Sequence, residues 1–145
     1  MSYEEKSIKV LPEDTDAFKR LNWRVYCRYC ELGEAGLVNN LGFPQMHFYD
    51  KYCISFPRRF ASFEYFSQVS PRDLIDLRTK IKNVGTTSLT LSHTFYKRND
   101  KLKKRVLVAT AEVVIVAYNE KTHKKTPLPR ELIEAIRKHN SADMT

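Results

Sequence analysis

The sequence predicts an α+β fold in which one long helix lies across a curved antiparallel sheet. Three observations carry this prediction. Residues 22–41 repeat apolar side chains at helical spacing, residues 53–118 alternate apolar and polar side chains in runs bounded by turn residues, and a short helical run follows Pro129. One helix followed by hairpin-linked strands is the pattern of a helical layer on one face of a sheet.

A short strand is expected near Ile8–Leu11, ahead of the helix. Within the helix, Tyr26, Tyr29, Cys30, Gly33, Leu37 and Leu41 form one apolar stripe, with Asn22 as N-cap and Gly42 as stop. Gly33 and Gly36 sit inside it, where each costs about 1 kcal/mol relative to Ala, so close packing against another backbone is expected. CISFPRRFASFEYFSQ (53–68) reads as one long or bent strand, with Pro57 marking an edge or bulge.

From Leu74 to Asn83, Ile75, Leu77, Thr79 and Ile81 face the core while Asp76, Arg78, Lys80 and Lys82 face water. After Gly85, the residues Leu89, Leu91, His93 and Phe95 share a face, and His93 is read as a hydrogen-bonded core or interface histidine. RNDKLKK (98–104) is a polar hairpin loop. Val106–Tyr118 is apolar on nearly both faces, which suits a central strand; 119–126 form a loop, and PRELIEAIRKH opens a helix with proline at its first turn. About four consecutive antiparallel strands result. Because one sheet hides neither its second face nor its edges, a homodimer is expected.

At 145 residues, 42% hydrophobic and 29% charged, the chain is expected to form a single domain over 1–145 with an ordinary core. No apolar run reaches the roughly 20 residues that span a bilayer. MSYEEKSIKV lacks the apolar core of a secretory signal, so a cytoplasmic location without a membrane partner is expected. The net charge of +8 favours an anionic partner. Basic residues are scattered from Lys19 to Lys138 with no basic helix or aromatic RNA-binding signature, which ranks nucleic acid last. Cys27, Cys30 and Cys53 offer no second CxxC pair for zinc and are expected as buried thiols; no His/Cys/Asp/Glu cluster has metal-ligand spacing.

Asp14-Thr15-Asp16-Ala17, followed by Tyr26, Arg28, Tyr29 and Glu31, resembles the D-x-D-x-x-G and N-Y-x-R-Y-x-E patterns of the hotdog-fold acyl-CoA thioesterases of the 4-hydroxybenzoyl-CoA thioesterase type. The likeness continues through FEYFSQVSPRDLIDLRTKIKNVGTTSLTLSHTFYK to TPLPRELIEAI. It implies a hotdog fold, a homodimer or homotetramer, and an acyl-CoA substrate hydrolysed at the dimer interface near the N-terminus of the long helix. No cofactor is implied beyond coenzyme A as part of the substrate.

By position in the motif, Asp16 matches the catalytic carboxylate, acting as nucleophile or as base for water, and the Trp23 N–H matches the oxyanion donor; Asp14 shapes the turn. Lys19, Asn22 and Tyr26 fall around the substrate entrance. The turn Gly85, Thr86, Thr87 and Ser88 matches the one that holds the nucleotide, with Arg58 and Arg59 as sources of charge. Glu31 matches a helix glutamate with a structural or dimer-contact role. The family's glycine is Lys19 here, its aromatic-histidine pair is Asn22-Trp23, and its helix-start asparagine is Val25. Lys19 or Arg20 is expected to pair with Asp16 or to bind an anionic part of the substrate. Acyl-CoA hydrolysis is the leading expectation; the alternative is a hotdog protein that binds acyl-CoA or another polyanion without hydrolysing it.

Overall fold

The computed structural model describes residues 2–101 and 104–143. Strand β1 (Ser2–Lys9) leads through a 3-10 turn at Pro12–Asp14 into helix α1 (Trp23–Asn40) and then a short helix α2 (His47–Tyr52). Strands β2 (Ile54–Ser55), β3 (Arg58–Tyr65), β4 (Leu74–Val84), β5 (Ser88–Arg98) and β6 (Val106–Val116) follow. The hairpin β7 (Tyr118–Asn119) and β8 (Lys124–Lys125) precedes the final helix α3 (Arg130–Asp143).

The main sheet has the order β1-β4-β5-β6-β3, and every neighbouring pair is antiparallel. It curves across α1, whose predicted stripe is buried as expected: Tyr26, Tyr29, Cys30, Gly33 and Leu37 all face inward. The predicted caps hold too. Asn22 Oδ1 accepts the Arg24 N–H at 3.1 Å, and Gly42 takes the left-handed φ of 98° that ends the helix. Gly33 is closely packed on the sheet, but against side chains and not the expected backbone: a Cβ there would meet Thr79 Oγ1 and Leu77 Cδ2 on β4.

Several expectations change. The first strand was expected near Ile8–Leu11, but it runs earlier, over Ser2–Lys9, and shares only Ile8 and Lys9 with that expectation. The strands are not consecutive neighbours, because β3 pairs with β6 instead of β4 and forms an edge. The connection between β3 and β4 crosses the entrance of α1, where Val69 is 2% exposed and its carbonyl accepts the Leu21 N–H at 2.9 Å. The predicted strand over 53–68 breaks at Pro57. Before the break, β2 joins β7 in a separate three-stranded sheet. Helix α2 was not legible, and it is bounded at both ends by non-glycine residues in the left-handed region, Met46 (φ 67°) and Cys53 (φ 57°).

Asp76, predicted to face water, is 3% exposed. It accepts from Arg98 Nε at 2.7 Å and from the Ser7 N–H at 3.0 Å, and those donors satisfy a carboxylate that burial would otherwise penalise. Residues 119–126, predicted as a loop, contain the β7–β8 hairpin. Leu102 and Lys103 of the predicted 98–104 loop lie outside the described residues. Cys27 is exposed, against expectation, while Cys30 is buried and burial pushes its thiol far up.

The interior has two apolar clusters. One gathers Tyr26, Tyr29, Ile75, Leu77 and Phe95 beneath the first half of α1; the other gathers Leu41, Phe48, Leu89, Leu128 and Leu132 beneath α2 and α3. Among the described residues, no helix is long and apolar enough to cross a membrane.

Candidate active site

The loop 12–22 delivers the chain into the N-terminus of α1. Asp14 is 5% exposed and anchors it: Oδ2 accepts the Leu11 N–H at 3.1 Å and Oδ1 accepts Arg28 Nη2 at 2.8 Å from the second turn of α1. Burial alone would raise the Asp14 carboxyl. The Arg28 and Leu11 hydrogen bonds and the Arg28 charge outweigh it and leave the group below the ordinary value of 3.8.

The folded chain thus binds fewer protons at Asp14 than the unfolded chain. Its contribution to stability is fully present above the unfolded value and is lost as pH falls through the folded one. We expect Arg28→Ala to begin acid unfolding at a higher pH than the wild-type protein. Circular dichroism followed downward from about pH 5 checks this.

Asp16 sits at the exposed tip of the same loop. Its Oδ1 accepts two backbone donors, the Phe18 N–H at 2.8 Å and the Arg20 N–H at 3.1 Å, while Oδ2 accepts none among the described residues. The carboxylate is pinned by one oxygen and open at the other. The expected ion pair with Lys19 or Arg20 is not formed; the Arg20 guanidinium lies 5.6 Å from the centre of the Phe18 ring instead. The loop closes by a bridge between Thr15 and Leu21 and by the Asp16 N–H donating to the Arg20 carbonyl at 2.8 Å.

Lys19 has a φ of 62°, in the left-handed region that favours glycine. The backbone shape that a glycine would take without cost is therefore retained by lysine under strain. Lys19→Gly is expected to stabilise the protein by up to about 1 kcal/mol, read from the midpoint of urea unfolding at unchanged slope.

Trp23 is the first residue of α1, and its N–H has no acceptor among the described residues. Such leading N–H groups have no intrahelical partner, and the helix dipole places positive charge behind them. The Trp23 ring is 68% exposed and the Phe18 ring 76% exposed, so apolar surface flanks the loop. Asn22 acts as the cap, with its N–H on the Asp14 carbonyl at 2.8 Å. Tyr26 is buried, edge-on to Tyr65 and Phe95 with ring centroids 5.0 and 5.2 Å away, and forms the floor beneath the entrance.

Asp14, Asp16, Lys19, Asn22, Trp23 and Tyr26 thus share one end of α1. The remaining predicted residues do not. The Gly85–Ser88 turn lies at the opposite end, where the carbonyls of Thr87 and Thr86 accept the Ala117 and Leu128 N–H groups at 2.8 and 2.9 Å. Arg59 is exposed on β3 and makes no ion pair among the described residues, whereas Arg58 pairs with Glu34 of α1. Glu31 is exposed.

His93 is fully buried and its Nδ1 meets Thr79 Oγ1 at 2.7 Å, as expected of a core histidine. Its other nitrogen is 3.6 Å from Glu34 Oε1. Glu34 was missed in the sequence. Its signal was present, since position 34 is four residues from Cys30 and three from Leu37, and so occupies the buried stripe of the helix. Among the described residues, no cluster of His, Cys, Asp and Glu side chains is placed to hold a metal ion.

A family model described as the thioesterase-like superfamily matches residues 10–136. The solved structure of 4-hydroxybenzoyl-CoA thioesterase from Pseudomonas sp. strain CBS-3 is similar with a TM-score of 0.83 and 17% identity, over 92% of this chain and 98% of that one. A gentisyl-coenzyme A thioesterase gives 0.73 and 24% over 91% and 98%. The DHNA-CoA thioesterase from Staphylococcus aureus gives 0.81 and 16% over 98% and 91%. At these identities the likeness shows the fold. No curated protein matches the chain significantly.

Proposed function

The chain belongs to the thioesterase-like superfamily and has its hotdog fold, and on that premise we propose that it hydrolyses an acyl-CoA thioester to the free acid and coenzyme A. The observation that carries the reading is the Asp16 carboxylate, held by Oδ1 on two N–H groups, on the loop that ends at the Trp23 N–H; among the described residues Oδ2 has no donor and that N–H no acceptor.

A thioester carbonyl oxygen at the Trp23 N–H gains stabilisation as negative charge develops on it, and removing such a donor costs roughly 2.7–4 kcal/mol of barrier. Asp16 Oδ2 then serves in one of two ways. It attacks the carbonyl carbon, the C–S bond breaks and coenzyme A leaves as thiolate; water hydrolyses the resulting anhydride. Otherwise it takes a proton from water as the hydroxide adds, and the same C–S bond breaks with the proton passing to the sulfur. Both routes consume one water molecule, and neither calls for a cofactor beyond the coenzyme A of the substrate. The phosphates of coenzyme A suit the net charge of +8. Lys19 retains the loop shape despite replacing the glycine of the motif, which favours hydrolysis over binding alone.

The working unit is a homodimer or a homotetramer. The β1 edge is guarded by a register shift between Glu5 and Ile8, by the left-handed Ser7 and by Glu4, Lys6 and Lys9. The β3 edge carries Phe60 at 52% exposure and Tyr65 at 48%, with Glu64 as the only charge after Arg59. An unguarded edge of this kind pairs with its own copy. Antiparallel pairing about the middle of β3 brings Arg58 of one chain beside Tyr65 of the other.

Release of free thiol from short-chain, long-chain and aromatic acyl-CoAs tests the reading. Turnover of at least one of them is expected; if none releases thiol, hydrolysis is not the function.

A further inference from the structure

Phe18 and Trp23 are the two most exposed large apolar side chains among the described residues, and they stand five residues apart at the helix entrance. Single exposed hydrophobics are ordinary on a protein surface, but two large aromatic rings on so short a segment form a patch. The loop holds them outward. A bridge between Thr15 and Leu21 closes its base, the Asp16 and Lys19 N–H groups donate to the Arg20 and Asp16 carbonyls at 2.8 and 3.0 Å, and the Asp16 carboxylate accepts the Phe18 N–H. Phe18 therefore sits at the tip of a tied projection.

Charge is sorted around the same rings. Lys19, Arg20 and Arg24 are exposed and take part in no ion pair among the described residues, whereas Arg28 behind them is paired with Asp14. Against these three bases the loop sets two exposed acids, Glu13 at its start and Asp16, whose Oδ1 accepts two backbone N–H groups; Asp14 is buried. The connection that crosses this entrance adds an exposed ring, Phe66, and an exposed base, Arg72, while its one acid, Asp73, is buried. The patch is apolar at its tip and basic around it.

That arrangement complements a bilayer of anionic lipid. Phe and Trp rings settle at the boundary between headgroups and acyl chains, while arginine and lysine lay their stems along it and keep their charges on the phosphates. Nucleic acid would use the same charges, but its bases stack on free ring faces, and the Arg20 guanidinium already lies 5.6 Å from the centre of the Phe18 ring. A second copy seated tip to tip would set like charges against one another. Among the described residues no helix is long and apolar enough to cross a bilayer, and attachment to its surface requires none.

We propose that the helix entrance attaches to an anionic bilayer surface, with Phe18 and Trp23 inserted at the headgroup boundary and Lys19, Arg20, Arg24 and Arg72 on the lipid phosphates. Phe60 and Tyr65 take no part, because they lie on the β3 edge. Attachment stands whether or not the chain hydrolyses thioesters. For the candidate site it means that the Asp16 loop faces lipid, so an amphipathic thioester reaches it from the bilayer as well as from water.

Trp23 is the only tryptophan in the chain, so its emission reports on the loop itself. The protein is titrated with vesicles of phosphatidylcholine alone and of phosphatidylcholine with an equal share of phosphatidylglycerol. A blue shift, and quenching by lipids brominated on their acyl chains, are expected with the anionic vesicles only, with binding that weakens as salt is raised. Phe18→Ser, at an exposed position without a packing cost, is expected to weaken binding about tenfold. Arg20→Gln combined with Arg24→Gln should weaken it about 25-fold, since each base near an anionic surface contributes about fivefold. No shift on either vesicle, an equal shift on the neutral one, or a shift that both variants leave unchanged overturns the inference. So does Trp23 emission that is already blue-shifted before vesicles are added and stays there, which assigns the patch to a second copy. A Trp23 response to double-stranded DNA without one to vesicles assigns it to nucleic acid and overturns the inference as well.

Discussion

Asp16→Asn is expected to fold as the wild-type protein does and to release thiol at least about 100-fold more slowly from every acyl-CoA that the wild type cleaves. The reason lies in how the two carboxylate oxygens are used. Oδ1 holds the loop through the Phe18 and Arg20 N–H groups, and an asparagine carbonyl oxygen accepts both bonds in the same geometry. Oδ2 has no loop contact among the described residues, and in asparagine it becomes an NH₂ that neither attacks a carbonyl nor takes a proton. The substitution separates the turn role from the chemical one, and a 100-fold loss corresponds to about 2.7 kcal/mol of barrier.

Asp14→Asn supplies the contrast. Asp14 is buried and bonded to Arg28, so its loss should lower the unfolding midpoint while the protein that remains folded keeps its turnover. Should Asp16→Asn lower stability and leave turnover intact, Asp16 is a turn former and the hydrolytic role falls to another group.

The helix and its caps were legible because periodicity, Asn22 and Gly42 act within a few residues of one another. Local chemistry alone sets them, and the structure keeps Asn22 as cap and the left-handed Gly42. The faces of β4 and β5 were legible for the same reason, except at Asp76. Alternation assigns a residue to a face but does not reveal that Arg98, twenty-two positions away, makes burial of a carboxylate tolerable. The placement of β3 beside β6 was also hidden, since strand order depends on a crossing connection that buries Val69 and carries no period of its own.

The helix entrance was the readable part of the candidate site. Asp14, Asp16, Asn22 and Trp23 fall within ten residues, so any fold that preserves the loop brings them together. A cleft of about 720 Å³ along the second half of α1 was not readable, because its walls come from α1, α2, the connection between them, and residues of strands β1 to β6 far apart in the chain. Only Glu34 gave a local hint, as a carboxylate on an apolar stripe. Helix α2 gave none: His47–Tyr52 has no clear apolar period, and both of its ends rely on left-handed residues other than glycine.

The two glycines of α1 make a sharper test of how the helix sits on the sheet. Both are expected to gain about 1 kcal/mol of helix propensity on replacement by alanine. Their surroundings should separate them. At Gly33 the new methyl would run into Thr79 Oγ1 and come within 3.1 Å of Leu77 Cδ2, both on the strand beneath. Thr79 has no free space to move into, being fully buried, and its hydroxyl partners His93 Nδ1 at 2.7 Å. Turning it away strands a buried ring nitrogen, which costs about 1–3 kcal/mol, and overpacking adds a similar amount. Gly33→Ala is therefore expected to destabilise the protein by about 2 kcal/mol or more net, lowering the thermal midpoint by roughly 5 °C or more. At Gly36 the obstacle is the ring of Tyr3, a side chain on edge strand β1 that is not fully buried and can swing outward from its contact with Glu5. Gly36→Ala should remain within about 0.5 kcal/mol of the wild type. Equal midpoints for the two variants would mean that α1 does not press on β4 at Thr79, and the floor of the helix layer would have to be redrawn.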